Sequence, residues 1–193
     1  MFSLYYKTDD SILINDKSYE ANASFDNILK IIDMINEKNI SNVNKFKIGI
    51  KMFFGKDTDL STLSINEQAK IFNDVFTLYA NQGKKPEIET DLNGDPLPKT
   101  FKKDKENFYS LKHDAKYIYA SFMQAYGIDL LDQQGKMHWF KFQALLDGLP
   151  EDTKFRQVVS IRTWKKPSKS DTEASQMKKL KEFYRLPDDE SEV

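Results

Sequence analysis

The sequence predicts a mainly α-helical protein with six or seven helices and a short β-hairpin near the N-terminus. Apolar residues recur at helical spacings of three and four along most of the 193 residues. Glycine is scarce, at 7 residues, while aromatic residues reach 13%. Two short apolar runs before the first helix are separated by polar residues that are typical of tight turns. These observations favour a packed helical body with little β-structure.

Composition excludes several classes of protein. The net charge is −1, from 29 basic and 30 acidic residues, which argues against a general binder of nucleic acid or of anionic membranes. The lack of cysteine excludes disulfides, thiolate metal sites and cysteine nucleophiles. The apolar runs fall far short of a membrane span, and the first ten residues lack the basic start and apolar core of a signal peptide. We therefore expect a protein that is made and kept in a cytoplasm.

The first predicted element is the β-hairpin. Its strands are the apolar runs at 12–14 and 19–21, and its turn is the polar stretch 15–18, whose short side chains tolerate turn geometry. A two-stranded ribbon is marginal on its own in water. We therefore expect the hairpin to pack on the helix that follows it.

Three helices follow, each indicated by an apolar stripe and a capping signal. Ser24 is the expected N-cap of the first helix. The second covers about 42–54, and Gly55 stands where a left-handed C-terminal cap is expected. The third begins with a capping box at Ser64–Glu67. Residues 1–83 are therefore predicted to form an N-terminal part that contains the hairpin and three helices.

The apolar periodicity disappears at 84–107, which is predicted to be a loop or linker. Three of the six prolines fall here, together with a dense run of lysines. Lysines interleaved with aromatic residues could contact phosphates and stack on bases. Acidic neighbours dilute that charge, so a solvated loop is favoured and a nucleic-acid-binding regulatory protein is kept as a distant alternative. The cluster comprises Lys99, Phe101, Lys102, Lys103, Lys105 and Phe108.

Residues 108–185 are predicted to form a C-terminal helical part. Apolar spacing indicates one helix from about Leu111 to Gly127. A second is predicted over about 136–147, where the residues are apolar on nearly all sides. Pro150 is expected at the first position of the next helix, and a capping box at Ser170–Glu173 begins the last.

Charge is uneven at the end of the chain. Residues 164–185 carry seven basic and three acidic residues, whereas the tail at 186–193 carries four acidic residues and none that is basic. A basic helix with an acidic tail is usually a solvated end, and that interpretation is favoured here. A docking surface for another protein is the alternative.

The sequence offers no convincing catalytic or metal-binding motif, so we expect a protein that is not an enzyme and has no cofactor. His113 and His138 stand alone, without the closely spaced partner that a zinc site needs. Asp91, Asn93 and Asp95 imitate the start of a calcium loop, but the later glycine and glutamate positions are wrong. Carboxylate pairs, including the one formed by residues 9 and 10, are more simply explained as terminal or helix-start charges.

The stretch from Asp114 to Trp164 closely resembles the bacteriophage gene-product-fifteen family. The N-terminal stretch 19–29 is also similar to that family's opening hairpin and first helix, so the resemblance covers nearly the whole chain except the loop at about 83–107. The most specific piece is the His-Trp-aromatic-x-Phe segment, in which Phe140 stands where a second tryptophan is common. The segments that carry the resemblance are Tyr117–Phe122, Tyr126–Leu130, Gly135–Phe142, Ala144–Pro150, Thr153–Phe155 and Ile161–Arg162.

The resemblance implies a protein of long-tailed phages and prophages of Gram-positive bacteria, encoded ahead of the tape-measure protein. That position is typical of tail assembly chaperones, which bind the tape-measure protein and recruit tail-tube subunits in the host bacterial cytoplasm. The family offers no catalytic residues to transfer. A minor structural component of the tail is the alternative, and a homo-oligomer is left open. Neither a membrane nor a specific nucleic acid is expected as a partner.

Five residues of this chain are candidates for partner binding or core packing. Trp139, Phe140 and Phe142 form the most aromatic stretch, and the sequence leaves open whether they face the core or a partner. His138 and Arg162 are polar positions inside the family segments. We expect them to form hydrogen bonds between helices.

Overall fold

The computed structural model describes residues 3–56, 58, 60, 62–80, 108–165 and 172–187. It confirms the predicted fold class, because seven helices and one two-stranded hairpin are found among these residues. In chain order the elements are β1 (Ser11–Ile14), β2 (Lys17–Glu20), α1 (Phe25–Asn36), α2 (Asn42–Phe54), α3 (Ile65–Ala80), α4 (Ala115–Tyr126), α5 (Trp139–Asp147), α6 (Lys154–Thr163) and α7 (Thr172–Phe183). None of the described helices is both long and apolar enough to cross a membrane.

The chain divides into two compact units. Unit 1 consists of residues 1–89 and 133–144, and unit 2 consists of residues 90–132 and 145–193. The predicted linker at 84–107, its lysine cluster up to residue 107 and most of the acidic tail lie outside the described residues. The assignment of these segments as a linker and a tail stays a prediction.

The hairpin has a tighter turn than the sequence suggested. Strands β1 and β2 pair antiparallel, with Ser11 opposite Glu20 and Ile14 opposite Lys17. Only Asn15 and Asp16 form the turn, with φ angles of 47° and 60°. Both residue types tolerate this left-handed backbone, so the strands extend further into the predicted four-residue turn.

The capping predictions in unit 1 are partly confirmed. The backbone N–H of Ser64 donates to the Glu67 carboxylate at 2.7 Å, and the Glu67 N–H donates back to Ser64 Oγ at 3.3 Å, as a capping box requires. Ser24 precedes α1 but forms no side-chain cap, because its hydroxyl donates to Asn22 at 2.8 Å. Gly55 ends α2 with φ 92° and ψ 162°, which is not the left-handed helical conformation predicted.

Two helix starts in unit 2 lie later than the sequence suggested. Helix α4 begins at Ala115 because residues 111–114 form turns, and it ends at Gly127 in the left-handed conformation. Pro150 is not at the first position of α6. Its carbonyl accepts hydrogen bonds from the N–H and hydroxyl of Thr153, which form a turn ahead of the helix. The capping box predicted for α7 includes Ser170 and lies outside the described residues.

Each unit has its own core. The largest fully buried side chains of unit 1 are Phe53, Tyr79, Phe142, Ile28 and Ile31. Those of unit 2 are Phe122, Val158, Thr153, Asp114 and Ser121. The core of unit 1 is therefore aromatic, whereas that of unit 2 includes a carboxylate and two hydroxyl groups that need hydrogen-bond partners.

Candidate functional site

Backbone hydrogen bonds connect the family segment around His138 to the start of α1. The N–H of Phe25 donates to the carbonyl of Met137 at 2.9 Å, and the N–H of Trp139 donates to the carbonyl of Ala23 at 2.8 Å. These bonds form a short antiparallel bridge between Ser24 and His138. Residues 133–144 therefore pack with the start of α1, although they are far from it in sequence.

The carboxylate of Asp26 holds the same segment from one side. It accepts a hydrogen bond from the Gly135 N–H at 2.8 Å and forms an ion pair with Lys30 at 2.9 Å. Burial alone would raise the pKa of Asp26, but Gly135 and Lys30, with a smaller contribution from the Ser24 hydroxyl, together lower it below its ordinary value. The negative charge of Asp26 is therefore part of the connection between α1 and residues 133–144.

The three aromatic candidates lie in the interior of unit 1. Trp139, Phe140 and Phe142 are only 3%, 3% and 2% exposed. The Phe142 ring stacks on Phe25, with ring centroids 5.0 Å apart, and on Trp139, with centroids 5.6 Å apart. The indole N–H of Trp139 donates to the carbonyl of Tyr79 at 3.2 Å, so its one polar atom is satisfied. In unit 1 these side chains form an ordered aromatic layer.

A polar group, which we call the His138 cluster, consists of Asp10, Tyr79 and His138. The Tyr79 hydroxyl donates to Asp10 Oδ1 at 3.0 Å, and His138 Nε2 lies 3.2 Å from the same oxygen. His138 Nδ1 accepts the Phe140 N–H at 3.1 Å, so the proton of a neutral ring stands on Nε2 and is donated to Asp10. Burial and the neighbouring carboxylate of Asp10 raise the pKa of Tyr79 above its ordinary value.

The His138 cluster explains where α5 begins. By accepting the Phe140 N–H, the imidazole acts as the cap that a helix start needs, so α5 begins at Trp139 and not at residue 136. The same ring fixes Asp10, which immediately precedes the hairpin. From the sequence, Asp10 is explained as a terminal charge, and Tyr79 is one apolar position of the third predicted helix. Their contact joins residues 69 positions apart, which sequence spacing does not reveal.

Arg162 lies in unit 2, where it forms a second polar group with Asp114. The guanidinium pairs with both carboxylate oxygens, Nη1 with Oδ2 at 2.6 Å and Nη2 with Oδ1 at 2.8 Å. It also donates to the carbonyls of Tyr184, at 2.5 Å, and Phe108, at 3.1 Å. The Asp114 side chain is 1% exposed and that of Arg162 is 10% exposed. This group, the Arg162 cluster, therefore connects α4, α6 and the end of α7.

The five candidate residues are divided between the two units. The structure brings His138 together with the aromatic layer in unit 1, whereas Arg162 belongs to unit 2. Within the described residues, no group of three or more His, Cys, Asp or Glu side chains could hold a metal ion. His113 donates its backbone N–H to Ser110 Oγ at 3.2 Å.

Comparison with known proteins identifies the family. The model of the family described as "Bacteriophage Gp15 protein" matches residues 8–186, which include the hairpin, all seven described helices and both polar clusters. No curated protein matches the chain, and no solved structure matches it. Because the match covers most of the sequence, the chain belongs to the bacteriophage Gp15 family.

Proposed function

We propose that this phage protein is a nonenzymatic tail assembly chaperone that binds the tape-measure protein and helps to recruit tail-tube subunits. The observation that carries the proposal is the family match over residues 8–186. The family that the sequence resembles is encoded ahead of the tape-measure protein, a position typical of tail assembly chaperones. The chaperone acts in the host bacterial cytoplasm, without a cofactor, a membrane or a specific nucleic acid.

The surface of the protein supports this proposal. A tape-measure protein is long and mostly helical, so it exposes apolar stripes until tube subunits cover it, and a chaperone shields them with apolar surface of its own. Large apolar side chains are exposed on both units. They include Leu13 in unit 1, and Leu180 and Phe183 in unit 2.

Helix α7 offers the most suitable surface in unit 2 for a helical partner. Ala174 is buried, and Phe183 lies on the opposite side of the helix with 77% of its surface exposed. Leu180 is 40% exposed close to that side. Lys179 is exposed one turn before Phe183 on the same side, so the surface combines apolar contact with positive charge. This combination fits the apolar stripe of a helix that also carries carboxylates.

The test is co-expression with the tape-measure protein encoded beside this gene, followed by affinity pull-down. We expect the tape-measure protein to be insoluble alone and to form a soluble complex with the chaperone. The variant L180S/F183S should recover less of the tape-measure protein, whereas L131S, which changes a side chain of 65% exposure, serves as the matched control. A tape-measure protein that stays insoluble and does not co-purify would contradict the proposal.

A further inference from the structure

A short segment before the hairpin exposes three consecutive large side chains. In this segment, the arm (Ser3–Asp9), Leu4, Tyr5 and Tyr6 are 92%, 91% and 80% exposed. Side chains of this size contribute most when they are removed from water, so three together on a surface indicate a contact site. The backbone N–H of Tyr5 donates to Ser3 Oγ at 3.1 Å, which is a local bond and does not attach the arm to the core.

The same unit contains an open apolar groove beside the C-terminal end of α2. The groove, called the α2 groove, has a volume of about 770 Å³. Ile48, Met52 and Phe54 supply its apolar surface, and Ile48 is 39% exposed. Glu20, Lys51 and Lys56 supply charged groups to its lining. In the part of the chain that the structure describes, the groove is not filled by a side chain.

The arm and the α2 groove are adjacent and chemically complementary. Ser11, where β1 begins, pairs directly with Glu20, which borders the groove. The apolar side chains of the arm match the apolar surface of the groove. The tyrosine rings can receive the ammonium groups of Lys51 and Lys56, and the exposed Lys7 of the arm matches Glu20.

The point at which the arm leaves the core is fixed. The Ala21 N–H donates to the carbonyl of Asp10 at 2.9 Å, and the carboxylate of Asp10 is held by Tyr79 and His138. Only the residues before Asp10 can therefore change their path. Seven residues in extended form span roughly 23 Å, which is enough to cross to a second molecule that faces the same end of the unit.

We propose that two copies of this chain exchange arms, each arm lying in the α2 groove of the other copy. Because the arm and the groove are at the same end of unit 1, one two-fold axis satisfies both contacts and the assembly closes as a dimer. The described arm lies outside the groove of its own chain, which leaves both surfaces available for exchange. This inference concerns self-association and is independent of the tape-measure protein.

Introduced cysteines test the exchange directly, because the natural chain contains none. Two differently tagged single variants, Y5C and I48C, are mixed, oxidised and separated without reducing agent. We expect a covalent heterodimer, whereas L131C mixed with I48C, a pair outside the proposed contact, should give far less. No heterodimer above this control overturns the proposal. Cross-linking within single chains of a Y5C/I48C double variant, without a heterodimer in the mixture, also overturns it.

Light scattering of the full chain over a range of concentrations supplies a second test. We expect a dimer whose dissociation constant rises about tenfold or more in L4S/Y5S/Y6S, because apolar anchors dominate such contacts. F183S, which changes an apolar side chain of 77% exposure in unit 2, should leave the dissociation constant unchanged. A monomer at every concentration, or equal weakening by the control, overturns the proposal.

Discussion

At the scale of single residues, each unit contains one polar contact of interest, which is partly buried in unit 1 and buried in unit 2. His138 caps α5 through Nδ1 and holds Asp10 through Nε2. Arg162 holds Asp114 by a bidentate pair. The sequence predicts hydrogen bonds between helices from both residues, and their acceptors lie 128 and 48 positions away. Such partners follow from chain packing, not from local spacing, so they could not be identified from the sequence.

Replacing His138 should separate its two roles. In H138N the shorter amide can still accept the Phe140 N–H, so we expect the free energy of unfolding to fall by about 1 kcal/mol. H138L loses the cap as well, so we expect its free energy of unfolding to fall by about 2 kcal/mol. Urea unfolding at neutral pH measures both values. Equal losses for the two variants would show that the cap contributes nothing.

The lowered pKa of Asp26 makes a pH-dependent contribution to stability. A carboxyl whose pKa is lower in the folded chain stabilises it above the unfolded value of about 3.8, and this contribution disappears as the pH falls through the folded pKa. We expect D26N to lower the free energy of unfolding by less than about 1 kcal/mol at pH 7, because solvent screens the pair with Lys30. The difference should shrink as the pH falls below 3.8 and vanish once the pH is below the folded pKa. A difference that is constant over this range in denaturant titrations would be inconsistent with the charge of Asp26.

The Arg162 cluster should behave as one unit. Removing either partner leaves a buried charge unpaired, so D114A and R162A should each cost about 3–5 kcal/mol. The double variant D114A/R162A should cost clearly less than the sum of the two, because it leaves neither charge behind. A double-mutant cycle by chemical denaturation measures this coupling. Additive losses would indicate that the 2.6 Å contact does not contribute to stability.

At the scale of elements, the sequence predicted helices well and their contacts poorly. Apolar spacing located the helices, and the capping box of α3 was identified from four residues alone, since both signals are local. The predicted start of α5 is too early because Met137 is apolar for another reason. Met137 is 3% exposed and its carbonyl accepts the Phe25 N–H, so it is buried without being helical.

The packing of α2 on α3 gives the fourth prediction. Gly49 lies so close to Phe72 that an added Cβ would overlap the ring. G49A should therefore destabilise the protein by about 1–3 kcal/mol, although alanine favours helices over glycine. Thermal or urea unfolding checks this, with K47A, an exposed alanine substitution in the same helix, as the control. Adding F72L to G49A should relieve part of the destabilisation, because the side chain that the new Cβ overlaps is then smaller. Stabilisation by G49A would mean that α2 and α3 are not in close contact at Gly49.

At the scale of the whole molecule, the family and the fold class could be inferred from the sequence, while the grouping of residues could not. Residues 133–144 belong to unit 1 although they follow α4 of unit 2 in the chain. Periodicity assigns each segment a secondary structure but carries no information on which distant segment it will pack against. The aromatic layer around Trp139 was recognised as important by its composition, and only the structure places it in the interior of unit 1.

The measurement that tests the chaperone proposal most directly is quantitative mass spectrometry of two fractions from phage-producing cells. One fraction is the material that co-purifies with the tape-measure protein from the lysate, and the other is purified virions. The proposal predicts that this protein is abundant with the tape-measure protein in the lysate and absent from virions. A protein that is missing from the lysate complex but present in virions in fixed proportion to the tape-measure protein would contradict it and would identify a structural component of the tail.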